Sequence, residues 1–107
     1  MPVIRIDYDD GKVDKKEITA LSNEIQKIVS AVTKIKDVFV YANSLQIKIK
    51  IAPIEIFVQM SAHKIKDEDS LVDEIKSKLS NWKKKSSFRH LINLTFIPMH
   101  WKIEIGI

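Results

Sequence analysis

The sequence contains no cysteine, only two glycines and three prolines, and no long uninterrupted apolar run. The lack of cysteine excludes disulfides, zinc–thiolate sites and thiol nucleophiles. Two glycines are too few for the glycine-rich loops that bind nucleotide phosphates, and the GxSxG motif of serine hydrolases is also missing. Charged residues from Arg5 onward interrupt the apolar start, which is not typical of a secretory signal peptide. A bilayer span needs ~18 consecutive apolar residues, so we expect a cytoplasmic protein with no membrane partner.

The residues that are present have the balance of a globular protein, with 45% hydrophobic and 30% charged residues. A length of 107 residues predicts one domain, residues 1–107. The net charge of +4 is a mild excess because lysines are interleaved with 14 acidic residues, so we do not expect nucleic acid as a partner. The best argument for such a partner is the basic and aromatic cluster of residues 82–85, Phe88 and Arg89. However, Trp82 falls on an apolar helical stripe, and the lysines suit the end of a helix.

Hydrophobic periodicity predicts the order β-α-β, a connecting strand, β-α-β and a terminal strand. Asp14 and Glu17 have the spacing of a capping box, so we expect a first helix from there to about Lys34. The candidate caps of the second helix are Asp67, Asp69 and Ser70. The predicted strands cover residues 3–8, 38–42, 45–51, 54–62, 91–97 and 101–107. The strand at 38–42 is mostly apolar, which predicts burial on both faces, whereas the alternation at 45–51 predicts a half-exposed strand.

The two β-α-β units match each other in pattern at a spacing of about 50 to 54 residues. Pro2 opens the first unit and Pro53 opens the second, and Ile25 of the first predicted helix corresponds to Ile75 of the second. Two right-handed crossovers related by a pseudo-twofold axis merge into one mixed sheet with both helices on one face. We therefore predict an α+β fold with pseudo-symmetric halves at approximately residues 2–51 and 53–107.

Pro2 is the first candidate for chemistry. A proline directly after the initiator methionine is expected to become an N-terminal secondary amine when Met1 is removed. A free α-amino group titrates near ~8 in water, and burial among apolar groups lowers that pKa. An amine that is unprotonated near neutrality suits proton abstraction beside a carbonyl. We therefore predict that Pro2 acts as a general base.

The opening residues PVIRIDYDDGKVDKKEI resemble the start of the tautomerase superfamily, which has an N-terminal proline, a short strand, an acidic-Gly-basic turn and then a helix. This superfamily includes 4-oxalocrotonate tautomerase, 5-carboxymethyl-2-hydroxymuconate isomerase and macrophage migration inhibitory factor. The resemblance implies two β-α-β halves, a homotrimer, and a proline-dependent tautomerase or isomerase. The expected reaction is keto–enol tautomerisation of a small carboxylate of the 2-oxo-acid type, and no cofactor is expected.

The resemblance also implies positions for substrate-binding residues. Lys12 stands where the short tautomerases place an arginine that binds the substrate carboxylate, and lysine keeps the charge without the bidentate fork. Phe39 stands in place of a second arginine, which would bind the far end of the substrate and polarise its carbonyl. The cations considered as substitutes for that arginine are Arg5, Lys48, Lys50 and Arg89. On strand alternation Arg5 points away from the face of Pro2, so the predicted substrate-binding residues are Lys12, Phe39, Lys48 and Lys50.

The remaining candidates are weaker. His63, His90 and His100 lack the spacing of metal ligands, and we predict no metal site. The alternative hypothesis is a non-catalytic, ferredoxin-like module that binds RNA or a protein partner, because a β-α-β-β-α-β order also fits that fold. Against RNA, the segment IEIFVQM carries a single aromatic residue, Phe57, where RNA-binding sheets have several.

Overall fold

The computed structural model describes residues 2–100 and residue 107, and the strand predicted at 101–107 therefore lies outside the described residues, apart from its last position. The elements, in chain order, are β1 (Val3–Tyr8), α1 (Lys15–Thr33), β2 (Phe39–Ser44), β3 (Ile54–Ser61), a 3₁₀ turn (Ala62–Lys64), α2 (Glu68–Ser86) and β4 (Ile92–Met99). The four strands form one sheet in the order β2-β1-β3-β4. Within each half the strands are parallel, and β1 and β3 join the halves in an antiparallel pair. This is the predicted mixed sheet of two β-α-β halves.

Helix α1 begins and ends where its sequence signals lie. The Asp14 side chain accepts a hydrogen bond from the Glu17 backbone N–H at 2.8 Å, and the Glu17 side chain accepts one from the Asp14 N–H at 3.1 Å. This reciprocal capping box satisfies two of the N–H groups that a helix leaves unpaired at its first turn. At the other end the helix stops at Lys34, which adopts the left-handed conformation. The predicted capping box and helix end are confirmed.

Helix α2 repeats this design in the second half. It has 19 residues, as α1 does, and is also preceded by an aspartate cap, Asp67, whose side chain accepts from the Ser70 N–H at 3.1 Å. Ser87 ends the helix in the left-handed conformation, the counterpart of Lys34. The three lysines at 83–85 fall in the last turn, as predicted, where cations are favourable beside the exposed carbonyl groups. Neither described helix is long and apolar enough to cross a bilayer.

The core lies between the helices and one face of the sheet. Along β1, Ile4 and Ile6 are fully buried while Arg5 between them is exposed. The same alternation runs along β3, and the apolar stripes of α1 and α2 cover this buried face. Fully buried side chains shared by these layers include Ile4, Ile6, Leu21, Ile25, Ile54, Ile56, Val58 and Ile75. The opposite face of the sheet, which carries Arg5 and Phe57, has no helix packed on it among the described residues.

Two strand predictions are wrong. Residues 45–51 form no strand, although Leu45 N still donates to Tyr8 O at 3.2 Å. An alternating pattern specifies which side chains share a face, but a strand also needs a neighbour for its hydrogen bonds, and within the described residues this segment has none. The strand β2 is mostly exposed instead of buried on both faces, because it lies at the edge of the sheet. It also begins at Phe39 and runs to Ser44, one to two residues later than predicted.

Candidate active site

Pro2 lies immediately before β1, at one end of the sheet, and its side chain is fully buried. Its carbonyl oxygen accepts a hydrogen bond from Phe39 N at 3.1 Å, which ties it to the beginning of β2. Val3 pairs with Phe39 on one side and with Gln59 on the other. Extending both registers by one residue puts Pro2 between Val38 and Met60, which are themselves buried. The ring therefore lies among apolar side chains.

A cavity of about 290 Å³ opens at the same end of the molecule. It lies between the end of α1, the end of β3 and the first turns of α2. Its lining residues include Val32, Met60, Leu71 and the lysines Lys64 and Lys66, together with the carboxylates Asp67 and Glu74. Met60 is the residue common to the cavity and to the surroundings of Pro2. The end of the sheet that holds Pro2 thus combines apolar walls with both lysine and carboxylate side chains.

All three predicted substrate-binding lysines lie at the opposite end of the sheet. Lys12 follows β1 in the turn that leads to α1, and residues 48 and 50 belong to the segment that leads into β3. The six residues of β1 separate this turn from Pro2 by about 20 Å, at 3.3 Å per residue. A substrate at Pro2 therefore meets Lys12, Lys48 or Lys50 only if they come from another copy of the chain. Their role in substrate binding stays a prediction.

Lys48 is already engaged by two carboxylates. Its ammonium group lies 3.1 Å from Asp9 Oδ1 and also donates to Asp10 Oδ1. These two hydrogen bonds raise the pKa of Lys48 above its ordinary value of 10.5, and the bond to Asp10 has the larger effect. In return, the hydrogen bond from Lys48 lowers the pKa of both Asp9 and Asp10 below 3.8. Within one chain, Lys48 fastens the segment after β2 to the turn after β1.

Phe39 is adjacent to Pro2 through its backbone, but its side chain points to the open face of the sheet and is 44% exposed. On that face Tyr41 follows it along the same strand and is 58% exposed. Arg5, beside Tyr41 in the parallel ladder, lies over the Phe57 ring at 4.4 Å and contacts Asp7 Oδ2 through Nε at 3.3 Å. The prediction from strand alternation is thus confirmed, because Arg5 lies on the face opposite Ile4.

Four lysines lie at the same end of the sheet as Pro2 within its own chain, and none of them was among the predicted residues. Lys34 and Lys36 lie between α1 and β2, and Lys64 and Lys66 lie between β3 and α2. All four are exposed, and the last two line the cavity. Their position follows from topology, since a parallel β-α-β crossover returns the chain to the end of the sheet where it began. The predicted order of elements contained that signal.

The histidines lie in two places and differ in their contacts. His90 Nε2 is 2.8 Å from Glu17 Oε2, so the connection between α2 and β4 is held against the first turn of α1. His63 and His100 form an edge-to-face pair with ring centroids 5.8 Å apart, at the end of the sheet that holds Pro2. Within the described residues, no group of three His, Asp or Glu side chains has the arrangement of a metal site.

Known proteins resemble this chain in structure and not in sequence. No protein-family model matches the sequence, and no curated protein matches it either. Among solved structures, malonate semialdehyde decarboxylase has a TM-score of 0.70 and 9% identity, with 98% of this chain and 92% of that chain covered. A fused 4-OT, solved as a symmetric trimer, has a TM-score of 0.69 and 10% identity, with coverage of 98% and 95%. 5-Carboxymethyl-2-hydroxymuconate delta-isomerase has a TM-score of 0.64 and 14% identity, with 99% of this chain and 89% of that chain covered.

These three proteins are members of the tautomerase superfamily, and the similarity extends over nearly the whole of each chain. At identities of 14% or less, what is shared is the fold. The chain therefore has the fold of the tautomerase superfamily, and the predicted fold class and resemblance are confirmed at that level.

Proposed function

We propose that this protein is a proline-dependent tautomerase or isomerase of the cytoplasm that converts small carboxylates of the 2-oxo-acid type between keto and enol forms. The observation that supports it is the burial of Pro2 among apolar residues at the beginning of β1. Many sequences have proline at the second position without functional meaning, but here the ring lies at a sheet end, between Val38 and Met60. The shared tautomerase fold is the second support.

The chemistry follows from removing the residue that precedes Pro2. Loss of Met1 converts the ring nitrogen from an amide into a secondary amine. Apolar surroundings disfavour the protonated amine and lower its pKa. In ketonisation the nitrogen takes the proton of the enol hydroxyl, the C=O bond forms as the C=C bond is lost, and the proton is delivered to the conjugated carbon; in enolisation the same proton moves from that carbon to the oxygen. The amine ends each cycle unprotonated, so no net proton is consumed.

We propose two sets of cations as candidates to bind the substrate carboxylate. The first comprises the lysines at the end of the sheet that holds Pro2, residues 34, 36, 64 and 66. The second comprises Lys12, whose position the resemblance implies, and Lys50, a candidate substitute for the missing arginine, both from a neighbouring copy. We leave Lys48 out of both sets because its ammonium group already contacts Asp9 and Asp10 in the turn after β1. Phe39 replaces a carboxylate-binding arginine, so we propose monocarboxylate substrates for this site.

We also propose that the active form is a homotrimer. Several large apolar side chains are exposed on the described part of the single chain, among them Phe39 and Tyr41 on β2, and Ile47 and Ile49 in the segment between β2 and β3, the last two at 85% and 95%. Exposed apolar groups of this size mark surfaces that another molecule covers. The alternating segment 45–51 has the pattern of a strand without a neighbour, which another copy would supply. A protein of the same fold forms a symmetric trimer.

The test is the ketonisation of phenylenolpyruvate, followed by ultraviolet absorbance. Intact mass first establishes that Met1 is absent. Pro2→Ala should lower kcat/KM by about 10²-fold or more, because a general base contributes 10²–10⁴-fold. Pro53→Ala is the matched control, since Pro53 precedes β3 as Pro2 precedes β1, and its rate should equal that of the wild type. Equal rates for wild type and Pro2→Ala, or full activity in protein that retains Met1, would refute the mechanism.

A second comparison separates the two sets of cations. Lys64→Gln and Lys66→Gln together should raise KM if the carboxylate is bound at the end of the sheet that holds Pro2. Lys12→Gln should raise KM if it is bound by a neighbouring copy. Mixing Pro2→Ala subunits with Lys12→Gln subunits adds a further readout, because a site shared between copies regains activity in mixed trimers. Absence of any KM change in all these variants would contradict a carboxylate substrate.

A further inference from the structure

The positive charge of the chain is concentrated in one segment. Residues 75–90 contain six of the 18 lysines and arginines and none of the 14 acidic residues. The whole chain has a net charge of +4, so the remainder is net negative by two charges. We call this group the cationic surface, and its members are Lys76, Lys78, Lys83, Lys84, Lys85 and Arg89. It accounts for the entire excess of positive charge, which therefore is not spread along the chain.

The fold turns these cations outward. The apolar stripe of α2 is buried through Ile75 and Leu79, and Trp82 is half-buried against Phe88, with ring centroids 5.2 Å apart. The exposed residues that remain between positions 76 and 87 are lysine, serine and asparagine only. In the part of the chain that the structure describes, no carboxylate lies within salt-bridge distance of the six cations. Their charge is available to a partner.

Grooves run along both sides of α2 beneath these cations. One, of about 330 Å³, lies between α1 and α2 and is lined by Lys27, Lys78, Trp82 and Lys85 together with the carboxylate of Glu24. The other, of about 440 Å³, lies between α2 and β4; Lys76, Lys83 and Asn93 are its polar side, and its remaining lining is mostly apolar, including Leu79 and Leu91. A depression at the end of the helix joins Lys84, Ser87 and Arg89. Cations thus border concave surface over the second half of α2.

We propose that the cationic surface binds the phosphate backbone of nucleic acids without sequence preference. Lysine, arginine, serine and asparagine are the side chains that contact phosphate oxygens. Trp82 is packed against Phe88, so we expect the cations, and not base stacking, to carry the contact. A membrane surface fits less well, because helices that lie on bilayers present an apolar face, and that of α2 is buried in the core. The surface lies at the end of the sheet opposite Pro2, so binding there is independent of the tautomerase proposal.

The test is fluorescence anisotropy with a labelled mixed-sequence DNA duplex and with a labelled single-stranded RNA, at 50 and 200 mM salt. Six phosphate contacts on a duplex give a slope of log K against log salt of about −5. Lys83→Gln, Lys84→Gln and Lys85→Gln combined should weaken binding and reduce the slope by about 3. Lys34→Gln, Lys64→Gln and Lys66→Gln combined are the matched control, because they remove the same charge from exposed sites at the other end of the sheet. They should change binding much less.

Each alternative has its own outcome. No binding of either nucleic acid at 50 mM salt overturns the proposal, as does an equal loss in the two triple variants, which would reflect net charge alone. Displacement by polyglutamate as efficient as displacement by unlabelled DNA would instead indicate an acidic protein as the partner. Binding to vesicles rich in phosphatidylserine but not to DNA would indicate a membrane surface. Pro2→Ala should bind DNA as the wild type does, so failure here and failure of the tautomerase proposal are distinguishable.

Discussion

Replacing Ile47 and Ile49 with serine separates the stability of the chain from the stability of its assembly. Both side chains are almost fully exposed on a single chain, so the double variant should change the free energy of unfolding of an isolated chain by no more than about 0.5 kcal/mol per site. If each isoleucine is buried between copies, it stabilises the trimer by about 1.5–3 kcal/mol. Two such residues in each of three chains give about 9–18 kcal/mol per trimer.

The assay is sedimentation velocity across a range of protein concentrations. The concentration of half-dissociation of a trimer depends on the square root of its dissociation constant, so the double variant should raise it by about 10³- to 10⁶-fold. The variant should therefore sediment as a monomer at concentrations where the wild type is a trimer. Gln46→Ser, on the polar side of the same alternation, is the matched control and should leave assembly intact. A wild type that is monomeric at all concentrations, or a double variant that still forms trimers, would refute the reasoning.

Three further predictions concern stability and are checked by chemical denaturation. Ile25→Ala should cost about 2–5 kcal/mol, because it empties a fully buried position in the core. Asp14→Ala should cost about 0.5–2 kcal/mol, because it removes the side chain that caps Glu17 N. Lys48→Met should remove the stability gained from Asp10, whose pKa Lys48 lowers below 3.8. Since the folded-state pKa is the lower one, that gain is present above about pH 4 and is lost as the pH falls through the folded-state value, so wild type and variant should converge in acid.

Exposed positions supply the controls for these variants. Asn23→Ala, on the outer face of α1, should change stability by no more than about 0.5 kcal/mol. A cost for Ile25→Ala below about 1 kcal/mol would contradict the assigned core, and a cost for Asp14→Ala equal to that of Asn23→Ala would contradict the capping box. For the ion pair, Lys50→Met is the comparison. Parallel pH profiles for Lys48→Met and Lys50→Met would show that the contacts with the aspartates contribute nothing.

The helices could be predicted from the sequence almost to the residue, because their signals are local. Asp14 and Glu17 need only each other to form a capping box, and the apolar stripe that follows specifies a face without reference to any other element. Local signals did not decide which of Asp67, Asp69 and Ser70 caps the second helix. It depends on where the chain leaves the turn after β3, and the structure assigns it to Asp67.

The strands were less predictable because a strand is defined by its neighbours. The apolar run at 38–42 is typical of a central strand, but the order β2-β1-β3-β4 puts it at an edge. Residues 45–51 have the correct alternation but pair with no strand among residues 2–100. Both errors have the same physical cause, since a pattern of side chains records which surface is apolar and leaves open what covers it. Phe39 and Ile49 remain apolar and uncovered on the single chain.

The sequence predicted the central residue of the candidate site, Pro2, but not the side chains that surround it. Pro2 follows from its position in the chain, and its apolar neighbours follow only from the strand registers. The lysines chosen from the resemblance, such as Lys12, lie at the far end of the sheet, whereas Lys64 and Lys66 lie at the end that holds Pro2. Sequence separation is a poor guide to the distance between two side chains here, because each crossover returns the chain to the end of the sheet where it began.

The central claim is that the amine of Pro2 is uncharged near neutrality, and its pKa tests that claim most directly. The protein has three prolines, of which only an N-terminal one titrates, so ¹⁵N-proline labelling gives one pH-dependent nitrogen resonance. Apolar surroundings predict a midpoint well below the ordinary value of about 8. A midpoint at or above that value, or no titrating proline nitrogen at all, would contradict the account.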